Sequence, residues 1–506
     1  MLLMQQHQDG IVRRLLVIGI PSFTIRPFVD ALVKWESCSG VEWTIKRLKG
    51  LKVDLLRTKE GLPTQTWVRK NSKGEFAGFI GTMFRWALKS DRNFSRCVQA
   101  FMAYTYYILP ELTQAQKDKF LSGINPVNPE DGLTKDFHKS FYETVTRTVR
   151  RRAVSSPPRP LVTYQGSPDK KAPRIWGRKS VPQSEDILCE LDFFKTKGGP
   201  YLYHKYERLY APLLYGTQDL KWMTKRSQEL YDSYNSWEIC PSDTRVECGE
   251  IHFLQEPGGK LRSVASPFRL HQEALRPLGN LLYDVVKSLP WDCTFDQTKA
   301  HPYIQSHLHN GGNVHSIDLS SATDHFPLSL QLTALRALIV KSQWDHIDLF
   351  EEISRGYWSS PIGRLQWVKG QPLGLFPSFA SFTLTHGLLL LHLADGDYHN
   401  QFFVVGDDVV ILEDHLKDKY ITMLDRMSCP WSADKSLSSN KLAEFAGKII
   451  TPVWVIPQLK WRRMSNDNFL DICRLLGRRS RDLLSSRQKR VFDQVVHLVG
   501  PFGLDF

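Results

Sequence analysis

Long apolar runs are missing from this 506-residue chain: the longest, Leu388 to Leu393, is interrupted by His392 and soon followed by Asp395. It falls far short of the ~20 residues needed to cross a bilayer, so no membrane span is expected. Paired cysteines are missing too. The eight cysteines (Cys38, Cys97, Cys189, Cys240, Cys248, Cys293, Cys429 and Cys473) include no CxxC, which excludes a disulfide framework or ribbon-type zinc site and fits a reducing compartment. Cys240, Cys248 and His252 match no standard ligand spacing. No internal repeat is present. Arg13 and Arg14 precede an apolar Leu15 to Ile20, but Asp9 and the lack of a small-residue cleavage site argue against a secretory signal, and nothing supports a mitochondrial presequence.

What is abundant is basic charge. Lys and Arg number 66 against 53 Asp and Glu, a net +13, beside 42% hydrophobic and 11% aromatic residues. The length allows about three domain-sized units, the apolar content a large core, and the charge a polyanionic partner. From Arg147 to about residue 185 the chain turns to Pro, Ser, Arg and Lys, including Arg150, Arg151, Arg152, Lys170 and Lys171. That reads as an irregular basic connector, either a solvated linker or a surface that follows an RNA backbone. Before it, Phe101, Tyr104, Tyr106 and Tyr107 read as core aromatics in preference to base-stacking platforms. The chain stops abruptly at Gly503-Leu504-Asp505-Phe506, which is compatible with a longer parent.

Chemistry concentrates after residue 245. Phe402 to Val405 and Val409 to Leu412 are apolar β-type runs that meet at Gly406-Asp407-Asp408, which predicts a hairpin with its turn at the acids. Two adjacent carboxylates beside a core repel each other, and a cation is the simplest compensation. About one chain in ten of this length would carry Gly-Asp-Asp by chance, so the tripeptide needs support. Val314 to Asp318 supplies it. This short strand ends on a carboxylate and runs into a stretch with helical apolar spacing through Leu328, Leu332, Leu335 and Leu338. Nucleotidyl transfer uses two Mg2+ ions about 4 Å apart, held by carboxylates from separate strands. Asp318 and Asp407 are candidates to bridge two such ions, with Asp408 auxiliary; a helix cap is the alternative for Asp318.

Between these elements, Gly370-Gln371-Pro372-Leu373-Gly374 reads as a loop whose glycines, Gly374 included, allow close approach to a nucleotide. The following Ser378 to Leu393 reads as a buried helix. Its Ser378, Ser381, Thr383 and Thr385 could reach a ribose or be satisfied within the helix. Upstream, Glu256 to Arg262 predicts a turn that puts Lys260 and Arg262 on one strand face, a suitable grip for a triphosphate. Lys435 is a candidate general acid for the departing pyrophosphate, or a structural lysine.

Taken in order, these pieces resemble the palm motifs of viral RNA-dependent RNA polymerases. DLSSATDHFP from Asp318 resembles motif A, GQPLGLFPSF from Gly370 motif B, VVGDDVV from Val404 motif C, ADKS motif D, EFAGK motif E and EPGGKLRSVASP from Glu256 motif F. LPWDCTFDQ from Leu289 is similar to a segment of the narnavirus, mitovirus and ourmiavirus group. Within that group, VEWTIKRLKGLKVDLLR and KWRRMSNDNFLDICRLLG favour the ourmiavirus-like (botourmiavirus) branch. Leu373 and Ser378-Phe379 depart from the usual mitovirus Met and Ser-Trp.

The resemblance implies an α+β right-hand polymerase with fingers, palm and thumb, its antiparallel palm sheet carrying the Gly-Asp-Asp hairpin. The implied division is an N-terminal fingers or extension region over 1–146, the connector over 147–185, fingers with the basic hairpin over 186–300, palm over 301–455 and thumb over 456–506. It further implies replication of a positive-strand RNA genome, with Mg2+ (or Mn2+) as cofactor, RNA template and product and nucleoside triphosphates as partners, and viral or host proteins as candidate subunits. Asp324 would read the ribose 2'-hydroxyl. The expected compartment is the host cytoplasm, with the mitochondrion as alternative. A reverse transcriptase would carry an aromatic where Gly406 stands and a bulky gate where Thr323-Asp324 stands. A catalytically inactive palm acting as an RNA-binding protein would have no need of three acids.

Overall fold

The computed structural model describes residues 3–64, 68–155, 199–215, 246–433, 435–461, 466, 469–476 and 478–499. Most of the basic connector, together with Cys189 and Cys240, lies outside them. No helix among the described residues is long and apolar enough to cross a membrane.

Among the described residues ten strands form three sheets: β1 (Glu247–Glu256), β2 (Lys260–Pro267), β3 (Val314–Asp318), β4 (Tyr357–Ser359), β5 (Phe402–Val405), β6 (Asp408–Ile411), β7 (Leu437–Ser439), β8 (Ala443–Phe445), β9 (Lys448–Ile450) and β10 (Val455–Pro457). The central sheet has the order β5-β6-β3-β7 and is antiparallel throughout. Its Phe402, Val404, Val409 and Ile411 join the largest core, while Phe403 and Val410 join a second one with Val314. A sheet buried on both faces is encoded by unbroken apolar runs, the pattern seen on either side of Gly406. Backbone pairing continues past β5. Val404 accepts from Cys293 N–H at 2.9 Å and donates to Trp291 C=O at 3.1 Å, so the LPWDCTFDQ segment covers that edge.

Against this sheet packs the helix Ser378–Leu393, buried along nearly its whole length as its composition requires. Around it stand the helices Arg269–Ser288, Leu328–Leu338 and Asp414–Arg426, whose apolar faces share its core. The Leu328–Leu338 helix matches the spacing read from the sequence.

A separate core unites the N-terminal helices Leu3–Ile18, Ser22–Glu60, Gly78–Ala87 and Asp91–Phe101 with Ile449, Ile456 and Trp461. Phe101 and Tyr107 belong to it, in keeping with the core reading of those aromatics. The 39-residue helix Ser22–Glu60 is broken at Gly40, whose φ of 83° and ψ of 171° interrupt the helical ladder.

Candidate active site

The β5–β6 hairpin turns at Gly406-Asp407, and Gly406 is the residue that permits it. Its φ is +58°, and a Cβ there would lie 2.8 Å from the Phe379 ring. The turn is also gripped by the Ser378–Leu393 helix. Gly406 N–H donates to Thr383 Oγ1 at 3.0 Å, and that hydroxyl donates to Asp292 at 3.2 Å. Gly406 C=O lies 2.7 Å from His386 Nδ1, and His386 Nε2 lies 2.6 Å from the Tyr420 hydroxyl. A carbonyl only accepts, so Nδ1 carries the proton and Nε2 accepts from Tyr420. Burial holds His386 down to about 4, which keeps the ring neutral.

Register then sets the acids. Asp318 at the end of β3 stands opposite Asp408 at the start of β6, with Asp407 exposed beside it in the turn. Asp408 still meets solvent at the floor of a cleft, but protein crowds it. Desolvation first, and then repulsion from Asp407, Asp318 and Glu444, push its carboxyl up to about 7. Residues 430–433 and 435–436 run back along the end of β3: Ser320 N–H donates to Pro430 C=O, Ser432 N–H to Asp318 C=O and Asp318 N–H to Ser436 Oγ. That course delivers Lys435 to Asp318, Nζ to Oδ2 2.9 Å apart.

The cleft has a volume of about 990 Å³ and is lined by Asp318, Asp408, Lys435, Lys260 and Arg262. Lys260 and Arg262 come from the β1–β2 hairpin, where Glu256 pairs with Lys260 in register and Arg262 makes two hydrogen bonds to the Glu256 carboxylate, at 2.9 and 3.2 Å. Five further lysines, none of them marked as a site residue by a sequence motif, also line the cleft: Lys46, Lys49, Lys52, Lys119 and Lys460. Lys52 forms an ion pair with Glu444 at 2.9 Å. Burial opposes the charge of both, but each partner restores it: Lys52 is raised and Glu444 lowered from their ordinary values. Burial first, and then Lys435, Lys260, Lys119 and Lys52, pull Lys49 down to about 8.

Three of the expected substrate residues stand outside the residues that line this cleft. Asp324 accepts from Trp367 Nε1–H at 2.9 Å, and its enclosure pushes the carboxyl up to about 6. Gly374 is required by its own backbone neighbours, since a Cβ there would lie 2.0 Å from Ala265 O. Ser378 Oγ donates to Pro372 C=O at 3.1 Å. The other helix hydroxyls are likewise satisfied: Ser381 bonds Gln331 at 2.9 Å and Thr385 bonds Ser381 C=O at 2.7 Å.

The donor set at the carboxylates suits a hard divalent cation: oxygen ligands in solvent contact, with one carboxyl destabilised by its neighbours and a cation, Lys435, already drawn to another. Among the described residues no three His, Cys, Asp or Glu side chains converge as a ready metal-binding group.

An antiparallel sheet with paired acids on its hairpin, flanked by helices and faced by a basic hairpin, has the fold of the right-hand polymerases. The structure is similar to the BmCPV RNA-dependent RNA polymerase at elongation state, with a TM-score of 0.50 and 12% identity over 94% of this chain and 47% of that one. The sequence matches the family described as Mitovirus RNA-dependent RNA polymerase over residues 201–470, and the chain belongs to that family. It is 28% identical over 206 residues to the RNA-directed RNA polymerase of Cryphonectria parasitica mitovirus 1, a match spanning 40% of this chain and only 25% of that protein. It is also 29% identical over 162 residues to an uncharacterized mitochondrial protein of Arabidopsis thaliana, spanning 30% of this chain and 77% of that one. The family lies within the virus group expected from the motifs.

Proposed function

We propose that this chain is an RNA-directed RNA polymerase that replicates a positive-strand RNA genome by joining nucleoside triphosphates to the 3'-hydroxyl of a growing RNA. The observation that carries this reading is the register that sets Asp318 against Asp408 across β3 and β6, at the floor of a basic cleft. Asp318, Asp407 and Asp408 would hold two Mg2+ (or Mn2+) ions, which when bound activate the attacking hydroxyl and stabilise the charge on the leaving pyrophosphate. Lys260 and Arg262 neutralise the triphosphate and hold it facing the acids. Lys435, released from Asp318, moves a proton from its ammonium to the pyrophosphate oxygen. Asp324, released from Trp367, reads the ribose 2'-hydroxyl, with Gly374 and Ser378 shaping the loop beside it.

In this reading residues 1–146 and 186–300 form extension and fingers, 301–455 the palm and 456–506 the thumb, with 147–185 as the basic connector. The compartment we propose is the host cytoplasm. The mitovirus and plant mitochondrial relatives favour the mitochondrion as the alternative. The test is Asp407→Ala: Mg2+-dependent nucleotide incorporation on an RNA template should vanish while RNA binding survives. Retained synthesis rules the mechanism out.

A further inference from the structure

The part of the helix Ser22–Glu60 that follows the Gly40 break spans from the basic hairpin to the central sheet. Midway along it, Lys49 Nζ donates to Gly258 C=O at 2.8 Å and lies 5.2 Å from the centroid of the Tyr104 ring. The same turn is held from other sides. Gly258 N–H donates to Tyr107 C=O at 2.8 Å, and Gln116 donates to Gly259 C=O at 3.2 Å. Both turn glycines have positive φ, 83° and 66°, and sit close to this support: a Cβ on Gly258 would lie 2.9 Å from the Tyr104 ring, and one on Gly259 3.1 Å from Ile45 Cδ1.

One turn on, the ion pair of Lys52 with Glu444 reaches β8 in the β10-β9-β8 sheet. Glu444 N–H donates to Ser316 Oγ at 2.9 Å, two residues before Asp318. About two turns further on, the helix ends against β7, where Glu60 bonds Ser439 and its carbonyl accepts from Lys441 at 2.9 Å. A single helical segment therefore touches the turn that carries Lys260 and the sheet that carries Asp318 and Asp408. From Ile45, against Gly259, to Glu60, bonded to Ser439, the helix is unbroken, so it holds these two contacts at a fixed separation.

We propose that this segment sets the distance between the triphosphate-gripping hairpin and the palm carboxylates, and that Lys49 and Lys52 are positioning residues for nucleotide binding. The inference rests on the polymerase reading of the cleft. It assigns a role in the active site to a region upstream of the family match at residues 201–470. The Lys49 ammonium is committed to Gly258. It acts through the turn, and Lys260 acts on the phosphates.

The test combines hydrogen exchange with single-nucleotide kinetics on the full chain. In Lys49→Met, the amides of Glu256 and residues 258–262 should exchange about tenfold faster, and KM for the nucleotide should rise about tenfold with kcat little changed, the scale of one lost charge-assisted hydrogen bond. Lys49→Arg, which can still donate to Gly258, should restore both. In a double-mutant cycle, Lys49→Met should add little to Lys260→Ala. If Lys49→Met does not fold, Tyr104→Leu, which removes the other wall of the same turn, should loosen the hairpin in the same way. Unchanged exchange in the hairpin, or full additivity with Lys260→Ala, overturns the proposal. A wild-type chain that binds RNA but incorporates no nucleotide would instead overturn the polymerase reading, while the exchange result would still decide whether the helix holds the hairpin.

Discussion

Thr383 on the buried helix and Gly406 at the head of the acidic turn are joined by a hydrogen bond of 3.0 Å from the Gly406 amide to the Thr383 hydroxyl. The same hydroxyl donates to Asp292, so one side chain ties the Gly-Asp-Asp turn to the segment that covers the edge of β5.

Thr383→Val keeps the shape and removes both bonds. A buried amide left without a partner costs roughly 1–3 kcal/mol, so the variant should lose that much stability in denaturant unfolding. Its nucleotide incorporation should fall further than the stability loss explains, because the turn that aims Asp407 and Asp408 is loosened. A variant as stable and active as the parent would show that the turn holds itself.

Acid should weaken the fold through its buried histidines. Burial keeps His386 down to about 4 and His271 down to about 3, both below the ordinary imidazole value of about 6.5. A histidine with a depressed folded pKa contributes full stability above its unfolded pKa. That contribution is lost as pH falls from about 6.5 towards the folded value, because the unfolded chain takes up the proton first. The linkage bound for His386 alone is about 3 kcal/mol. His386→Gln can still donate to Gly406 and accept from Tyr420 but never charges, so its melting temperature should fall less between pH 6.5 and 4.5 than the parent's. Parallel curves would contradict the assignment.

Much of this site was legible because its signals are local. Apolar runs on both sides of Gly406 predict the β5–β6 hairpin, and Val314 to Asp318 reads as a strand on its own pattern. The buried helix follows from a composition apolar on all faces. What escaped depends on contacts distant in sequence. Lys49 and Lys52 meet Gly258 and Glu444 across 209 and 392 residues, and no periodicity in a basic amphipathic helix distinguishes those lysines from solvated ones. The hydroxyls of Ser378 and Thr383 were ambiguous for the same reason, since whether a helix hydroxyl meets a ligand or a carbonyl is decided by its tertiary neighbours.

Asp324 offers a test of ribose selection. Its carboxylate is bonded to Trp367 at 2.9 Å, and in the proposed mechanism it is released to the 2'-hydroxyl. Asp324→Ala should narrow the preference for ribonucleotides over deoxyribonucleotides in competition assays by about tenfold, the scale of one hydrogen bond to a charged group. Trp367→Phe, which frees the carboxylate, should leave the preference intact. An unchanged ratio in Asp324→Ala would remove Asp324 from that role.

The most direct measurement is extension of a primed RNA template by the purified chain with all four nucleoside triphosphates and Mg2+, comparing the parent with Asp408→Asn, a change that keeps shape and removes charge. The account predicts template-length product from the parent, and a loss of about a thousandfold or more in the variant, with RNA affinity preserved. Synthesis by Asp408→Asn at the parental rate would contradict it.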